Sequence, residues 1–234
     1  MLLVVLASIF CSQSVSLPSF ILWQIASAAW ELYCLEHGIH ADGTMCQDNN
    51  LDNDSNAFFS CCYCHTTNAF KCVPRVILVD LEPIPIDEIR TGCYRSLFDP
   101  CTLITGKEDS ASNFARGYNS LGCEMIYMTL ERVRRVVESC ECLQGFISFR
   151  SIGGGTGSGF GTLLQEKISD EYGKSSKHEF NIFPSPKWVY WLIYCGNIVL
   201  SIHIQSIIHH FSLEFLRSSW SLTMPYSQPI IAWT

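Results

Sequence analysis

The chain has 234 residues, 48% of them hydrophobic and only 16% charged, which is enough for one or two domains with a substantial core. Lys and Arg number 15 against 22 Asp and Glu, a net charge of −7 that excludes the field a nucleic-acid binder needs; the one basic cluster, Arg132, Arg134 and Arg135, falls on a predicted helix facing solvent or a partner subunit. The 13 cysteines, odd in number and scattered in spacing, favour free thiols in a reducing compartment over a disulfide scaffold.

Residues 1–23 open with the apolar run Leu2 to Phe10. It is short for a membrane span, and it lacks the basic flank and clear cleavage site of a signal peptide; a replaced first strand is the competing reading. Residues 43–72 read as a long polar loop, with Asn, Asp and Ser concentrated at 47–56. Within it, Cys61-Cys62-Tyr63-Cys64-His65, with Cys72 downstream, is the only grouping that could hold a metal. Zinc sites prefer two separated ligand pairs, so incidental loop cysteines are the favoured reading. Arg75 to Val79 reads as a buried strand, and Ile84 to Arg90 as a short helix after the Pro83 start signal. From Leu121 the apolar positions Leu121, Met125 and Met128 fall three or four apart, and so do Ile126, Leu130, Val133 and Val137. That spacing predicts a helix to about Ser139. Gly145 to Phe149 is the next strand, Phe160 to Ser169 the next helix, and Phe180 to Phe183 another strand. Strands alternating with helices imply an α/β fold with a parallel sheet covered on both faces and ligand-facing groups at the strands' carboxyl ends.

Beyond Pro186 this alternation stops, and residues 188–213 contain no Asp, Glu, Lys or Arg. Trp188 to Ile208 is long enough to cross a bilayer, for which about 20 apolar residues are needed. Asn197, His203 and Gln205 near its middle oppose that. With no amphipathic face to pack on the domain, the segment is expected to be an unintegrated appendage, with a membrane span as the lesser alternative.

The most informative stretch is Gly153-Gly154-Gly155-Thr156-Gly157-Ser158-Gly159. Placed between a strand and a helix, its backbone can approach an anion closely and turn N–H groups toward it, while the helix adds free donors and the positive end of its dipole. No Lys follows the glycines, so it is not a P-loop, and no frame fits Gly-x-Gly-x-x-Gly. A ligand-free linker is the alternative; the helix-forming continuation Thr162-Leu163-Leu164-Gln165-Glu166-Lys167 argues against it. Asp80 and Glu82 follow the strand ending at Val79, and Ser110-Ala111-Ser112-Asn113 forms a polar turn before Phe114.

The glycine stretch resembles the nucleotide loop of the tubulin family, and the likeness runs over residues 24–187. Trp30 to Ile39, Val79-Asp80-Leu81-Glu82-Pro83, Ile104 to Asp109, Leu143 to Phe146 and Glu179 to Pro184 carry it. Cys34-Leu35-Glu36-His37-Gly38 and Ile104 to Asp109 assign it to the α branch. The resemblance implies an incomplete three-layer, Rossmann-like GTP-binding domain at 24–187, flanked by a divergent apolar N-terminus at 1–23 and a divergent tail at 188–234. It implies GTP and Mg2+ as cofactors, with Glu82 at the metal and Asp80 nearby. It places Ser112 and Asn113 on a phosphate-contacting turn, where the family usually carries two asparagines; helix capping is the alternative and both roles are compatible. Ser151, Gly154, Gly155, Thr156 and Gly157 would bind phosphate through backbone N–H groups and the two hydroxyls, and Arg150, where the family often has His, would lie beside the phosphates. Gln24 matches a glutamine of the first nucleotide loop, its alternative being an ordinary helix-start residue.

Departures from the family pattern are equally definite. Ser19 to Trp23 stands where a Gly-Gln-Ala-Gly turn is expected. The sugar loop, base-contacting asparagines and catalytic-acid loop expected past Lys187 have no match. No catalytic residue is assigned, and independent GTP hydrolysis is not expected. By resemblance the chain is a structural constituent of the microtubule cytoskeleton in the cytoplasm, partnered by a β-tubulin-like subunit and the microtubule lattice, with impaired nucleotide and polymerisation surfaces. The alternatives are a non-polymerising degenerate product and a protein anchored in a membrane through 188–208.

Overall fold

The computed structural model describes residues 2–5, 29–45, 58–64, 69–183, 196–204, 219–223 and 230–232. In chain order these form β1 (Leu2–Val5), a helical stretch at 29–36, β2 (Phe59–Cys64), β3 (Ala69–Pro74), β4 (Val76–Asp80), α1 (Pro83–Thr91) and β5 (Leu103–Thr105). Then come α2 (Leu121–Glu138), β6 (Gly145–Ser151), α3 (Gly161–Glu171), β7 (Ser176–Phe183), a helical stretch at 196–204, β8 (Ser219–Thr223) and β9 (Ile230–Ala232). Seven strands make one sheet in the order β5-β4-β1-β6-β7-β8-β9, parallel at every pairing except β8 with β9. The strands β2 and β3 pair separately as an antiparallel hairpin.

Side-chain alternation along the strands explains the layers. In β4 every residue is buried: Val76 and Leu78 join a cluster with Trp30, Cys34, Phe59, Ile86 and Ile89, while Ile77 and Val79 join Met125, Leu130, Val133, Leu164 and Ile168. Period-2 alternation thus sends one set to the layer of residues 29–36 and α1, and the other to α2 and α3. A strand buried on both faces has to be apolar throughout, as Val76-Ile77-Leu78-Val79 is. In β6, Ile147 and Phe149 take the first face and Phe146 the second. The fold is therefore the three-layer α/β, Rossmann-like arrangement expected from the alternation of elements.

The apolar run at the start agrees with the reading of a replaced first strand: Leu2–Val5 lies between β4 and β6, parallel to both, with Leu3 opposite Val76 on one side and Ile147 on the other. Other expectations change. The loop expected over 43–72 contains the β2–β3 hairpin, where Cys61 lies directly opposite Cys72 and is joined to it by a disulfide. Uniformly free thiols were the expectation from spacing; cross-strand pairing, which spacing does not encode, brings these two together. Cys62 remains free, and no group of three His, Cys, Asp or Glu among the described residues is arranged to hold a metal; His65 lies outside the described residues.

The tail is not an unintegrated appendage. At 196–204 the chain is helical, with Asn197 and Ser201 buried at 6% and 0% exposure, while Val199, Leu200 and Ile202 are exposed. The face turned to the domain is the polar one, with its two buried residues four apart, and so leaves no apolar periodicity in the sequence. Residues 188–195 and 205–208 lie outside the described residues, and no helix among the described ones is long and apolar enough to cross a membrane. Further on, β8 extends the sheet by pairing with β7.

Candidate nucleotide site at the carboxyl edge of the sheet

Because β4, β5 and β6 run parallel, the loops after them emerge on one edge. Asp80 closes β4 fully buried; its Oδ1 accepts the Glu82 N–H at 3.1 Å and its carbonyl accepts the Gly106 N–H at 2.8 Å. Glu82, 8% exposed, is the N-cap of α1, with extended backbone and no side-chain capping bond. Its carboxylate is therefore not spent on the helix start.

The loop after β5 turns sharply at Ala111 and Ser112, whose φ values of 49° and 55° lie in the left-handed region. Side chains are disfavoured there, and such strain persists only where surrounding contacts impose it. Asp109 Oδ2 accepts the Ala111 N–H at 3.0 Å, and Asn113 donates its N–H to the Ser110 carbonyl at 3.0 Å. The Asn113 side-chain oxygen accepts the N–H groups of Ala115 at 2.9 Å and Arg116 at 3.4 Å. That is a capping role played by the side-chain oxygen; the amide nitrogen takes no part in it.

The glycine loop after β6 packs directly on this turn. A Cβ at Gly155 would meet Ser110 Cβ at 2.7 Å and the Asn113 nitrogen at 2.8 Å, and one at Gly159 would meet the Tyr118 nitrogen at 2.8 Å. Absent side chains thus bring two loop backbones into contact, and each loop enters its helix through a wide π-type turn, Arg116–Ser120 before α2 and Thr156–Phe160 before α3. Ser158 donates its hydroxyl to the Gly154 carbonyl. The Thr156 hydroxyl, in a residue 3% exposed, has no hydrogen-bond partner among the described residues. A buried hydroxyl left unmatched is costly and wants a ligand or water. Alongside, Tyr118 donates to Glu166 at 2.6 Å; burial, then that bond and the Glu166 charge, push its pKa up to about 12.

Sequence reading missed one member of the site. Asn197 reaches both loops: Oδ1 accepts the Phe114 N–H at 3.1 Å, and Nδ2 donates to the carbonyls of Ser112 at 2.7 Å and Gly153 at 3.0 Å. Nothing local marks it, since its partners lie 44 and more residues earlier. Arg150 corrects an expectation in the opposite sense. It is 1% exposed and turned under α3, donating to Asn181 Oδ1 at 3.0 Å, Thr162 Oγ1 at 3.0 Å and Glu179 Oε2 at 3.2 Å. A guanidinium so committed inside the protein is structural, not a solvent-facing group at the edge of the loops. Ser151 is half-buried at the end of β6, and Gln24 lies outside the described residues.

What this edge offers is a pair of backbone loops at two helix starts, the unmatched Thr156 hydroxyl and two carboxylates. The model of the tubulin/FtsZ family GTPase domain matches residues 23–203. This chain belongs to the tubulin/FtsZ family. It is 50% identical over 196 residues to the tubulin alpha-1B chain of Physarum polycephalum, covering 82% of this chain and 42% of that one. To the tubulin alpha chain of Dictyostelium discoideum it is 48% identical over 201 residues, covering 82% of this chain and 43% of that one. The chain thus spans less than half the length of these relatives. The family match runs past residue 187 to include Asn197 and Ser201, the two residues that seat the 196–204 helix.

Proposed function

We propose that the carboxyl edge of β4, β5 and β6 binds GTP with Mg2+. The observation that carries this is the Thr156 hydroxyl, buried without a partner among the described residues in a glycine loop whose backbone rests on the turn at 110–113. A phosphate oxygen satisfies such a donor, and the loop's N–H groups with the α3 dipole supply the remaining attraction. Gly154, Gly155 and Gly157 give backbone donors, Ser151 and Thr156 hydroxyls, and the Ser112–Asn113 turn the opposite wall. Mg2+ keeps several waters and takes one or two carboxylates, which fits Glu82 with Asp80 nearby. By kinship with the α chains, the protein acts in the microtubule cytoskeleton of the cytoplasm beside a β-tubulin-like subunit.

The test is titration of the full chain with GTP and Mg2+ by calorimetry, for wild type, Thr156→Val and Glu82→Gln. Thr156→Val should weaken GTP binding while leaving stability unchanged or raised, because it removes an unmatched buried hydroxyl. Glu82→Gln should reduce the dependence on Mg2+. Wild-type protein that takes up no GTP overturns the reading.

A further inference from the structure

Asn197 uses both of its amide donors and its carbonyl oxygen on backbone groups of the two loops that wall the proposed nucleotide site. It touches no other side chain among these bonds, and it is 6% exposed. Its partners are informative. Ser112 is one of the two left-handed residues of the turn, and Gly153 opens the glycine loop, where a peptide plane can flip at little cost for want of side chains. A trans peptide is planar, so holding the Gly153 carbonyl commits the Gly154 N–H to the opposite side. Holding the Ser112 carbonyl and the Phe114 N–H likewise fixes the two peptide planes flanking Asn113. One side chain thus sets the orientation of backbone donors in both loops and the spacing between them.

We propose that Asn197 is a positioning residue of the nucleotide site, a clamp that pre-orients the backbone of the glycine loop and the 110–113 turn for phosphate. The proposal rests on the nucleotide-binding reading. It also assigns a function to the 196–204 helix, which buries Asn197 and Ser201 against the domain and is anchored by the contact of Ser201 Oγ with Thr162 Oγ1 at 3.0 Å. Preorganised donors bind an anion more tightly than donors that must be ordered on binding.

The experiment uses the full chain as wild type, Asn197→Ala and Asn197→Asp, with two readouts: backbone amide exchange over 110–118 and 153–158 without ligand, and GTP affinity in excess Mg2+ between pH 5 and 8. Asn197→Ala should speed exchange in both segments and weaken GTP about tenfold or more, the scale of two or three lost hydrogen bonds. In Asn197→Asp the ionised carboxylate can accept from Phe114 but cannot donate to either carbonyl; once protonated it can donate to one of them. Its affinity relative to wild type at the same pH should therefore recover as pH falls, a profile that a residue merely filling space would not give. Asn197→Asp is nearly isosteric and carries the test where Asn197→Ala fails to fold. Unchanged exchange in either loop, or GTP affinity of Asn197→Asp that stays at the wild-type level across the pH range, overturns the clamp. If wild type binds no GTP, the nucleotide reading fails and the clamp's role in binding with it, while the exchange data separately decide whether Asn197 holds the two loops.

Discussion

At Gly155 the backbone has φ −87°, a value open to any residue, so the requirement for glycine there is one of space. Gly155→Ala would push a methyl group against Ser110 and the Asn113 nitrogen, and the turn carrying them has little freedom to retreat. Overpacking of that kind costs about 1–3 kcal/mol; urea unfolding should show a loss on that scale, and GTP affinity should fall with it. Tyr118 offers a second residue-scale measurement. Its phenol, raised to about 12 from an ordinary value near 10, should ionise late in an ultraviolet titration. Glu166→Gln should move it part of the way back toward ordinary tyrosine, since the Glu166 charge is lost while burial and an acceptor oxygen remain. The linked stability is fully present below the unfolded phenol's pKa and is lost as pH rises through about 12, because the folded state holds the proton more tightly.

Among elements, β7 and α3 are joined by a polar group inside an otherwise apolar layer. Arg150 on β6 bonds to Glu179 and Asn181 on β7 and to Thr162 on α3, and Thr162 passes the chain on to Ser201 in the 196–204 helix. β7 starts at Ser176, earlier than its apolar residues suggest, because it pairs with β6 from Gly145 opposite Ser176 onward. Lys177 and Glu179 give no strand signal, yet both are buried, and Glu179 is paired with Arg150. Removing one partner of a buried pair leaves a charge stranded and costs about 3–5 kcal/mol. Arg150→Ala should lower stability on that scale in urea melts. Arg150→Met combined with Glu179→Met should recover part of the loss, because no lone charge is then left behind.

For the molecule as a whole, thiol chemistry maps the fold. Cys62, Cys93, Cys101, Cys123 and Cys142 are exposed, whereas Cys34 is 4% exposed and pushed up to about 11 by burial and then by the Glu31 charge. Only the thiolate reacts, so native protein treated with an alkylating reagent should label the exposed group first and Cys34 far more slowly. Cys61 and Cys72 should be labelled only after reduction of their disulfide. Mass spectrometry of timed digests checks the order. Rapid modification of Cys34 in folded protein would mean that residues 29–36 do not cover the sheet.

By itself the sequence determined the α/β class, the buried strand at Val76–Val79, the helix from Leu121 and the glycine loop with its helix. Each is written in local terms: an unbroken apolar run, a 3.6-residue period, or glycines in succession. The family resemblance then marked Glu82, the Ser112–Asn113 turn and Thr156. Only the tertiary structure decided that Leu2–Val5 lies at the middle of the sheet, that Cys61 faces Cys72, that Arg150 points inward to Glu179, and that Asn197 closes on both loops. In every one of these cases the partner lies far away in sequence or across a strand pairing. Hydrogen bonds and ion pairs between such groups leave no periodicity in the chain; they exist only once the sheet has set its register and the helices have settled upon it.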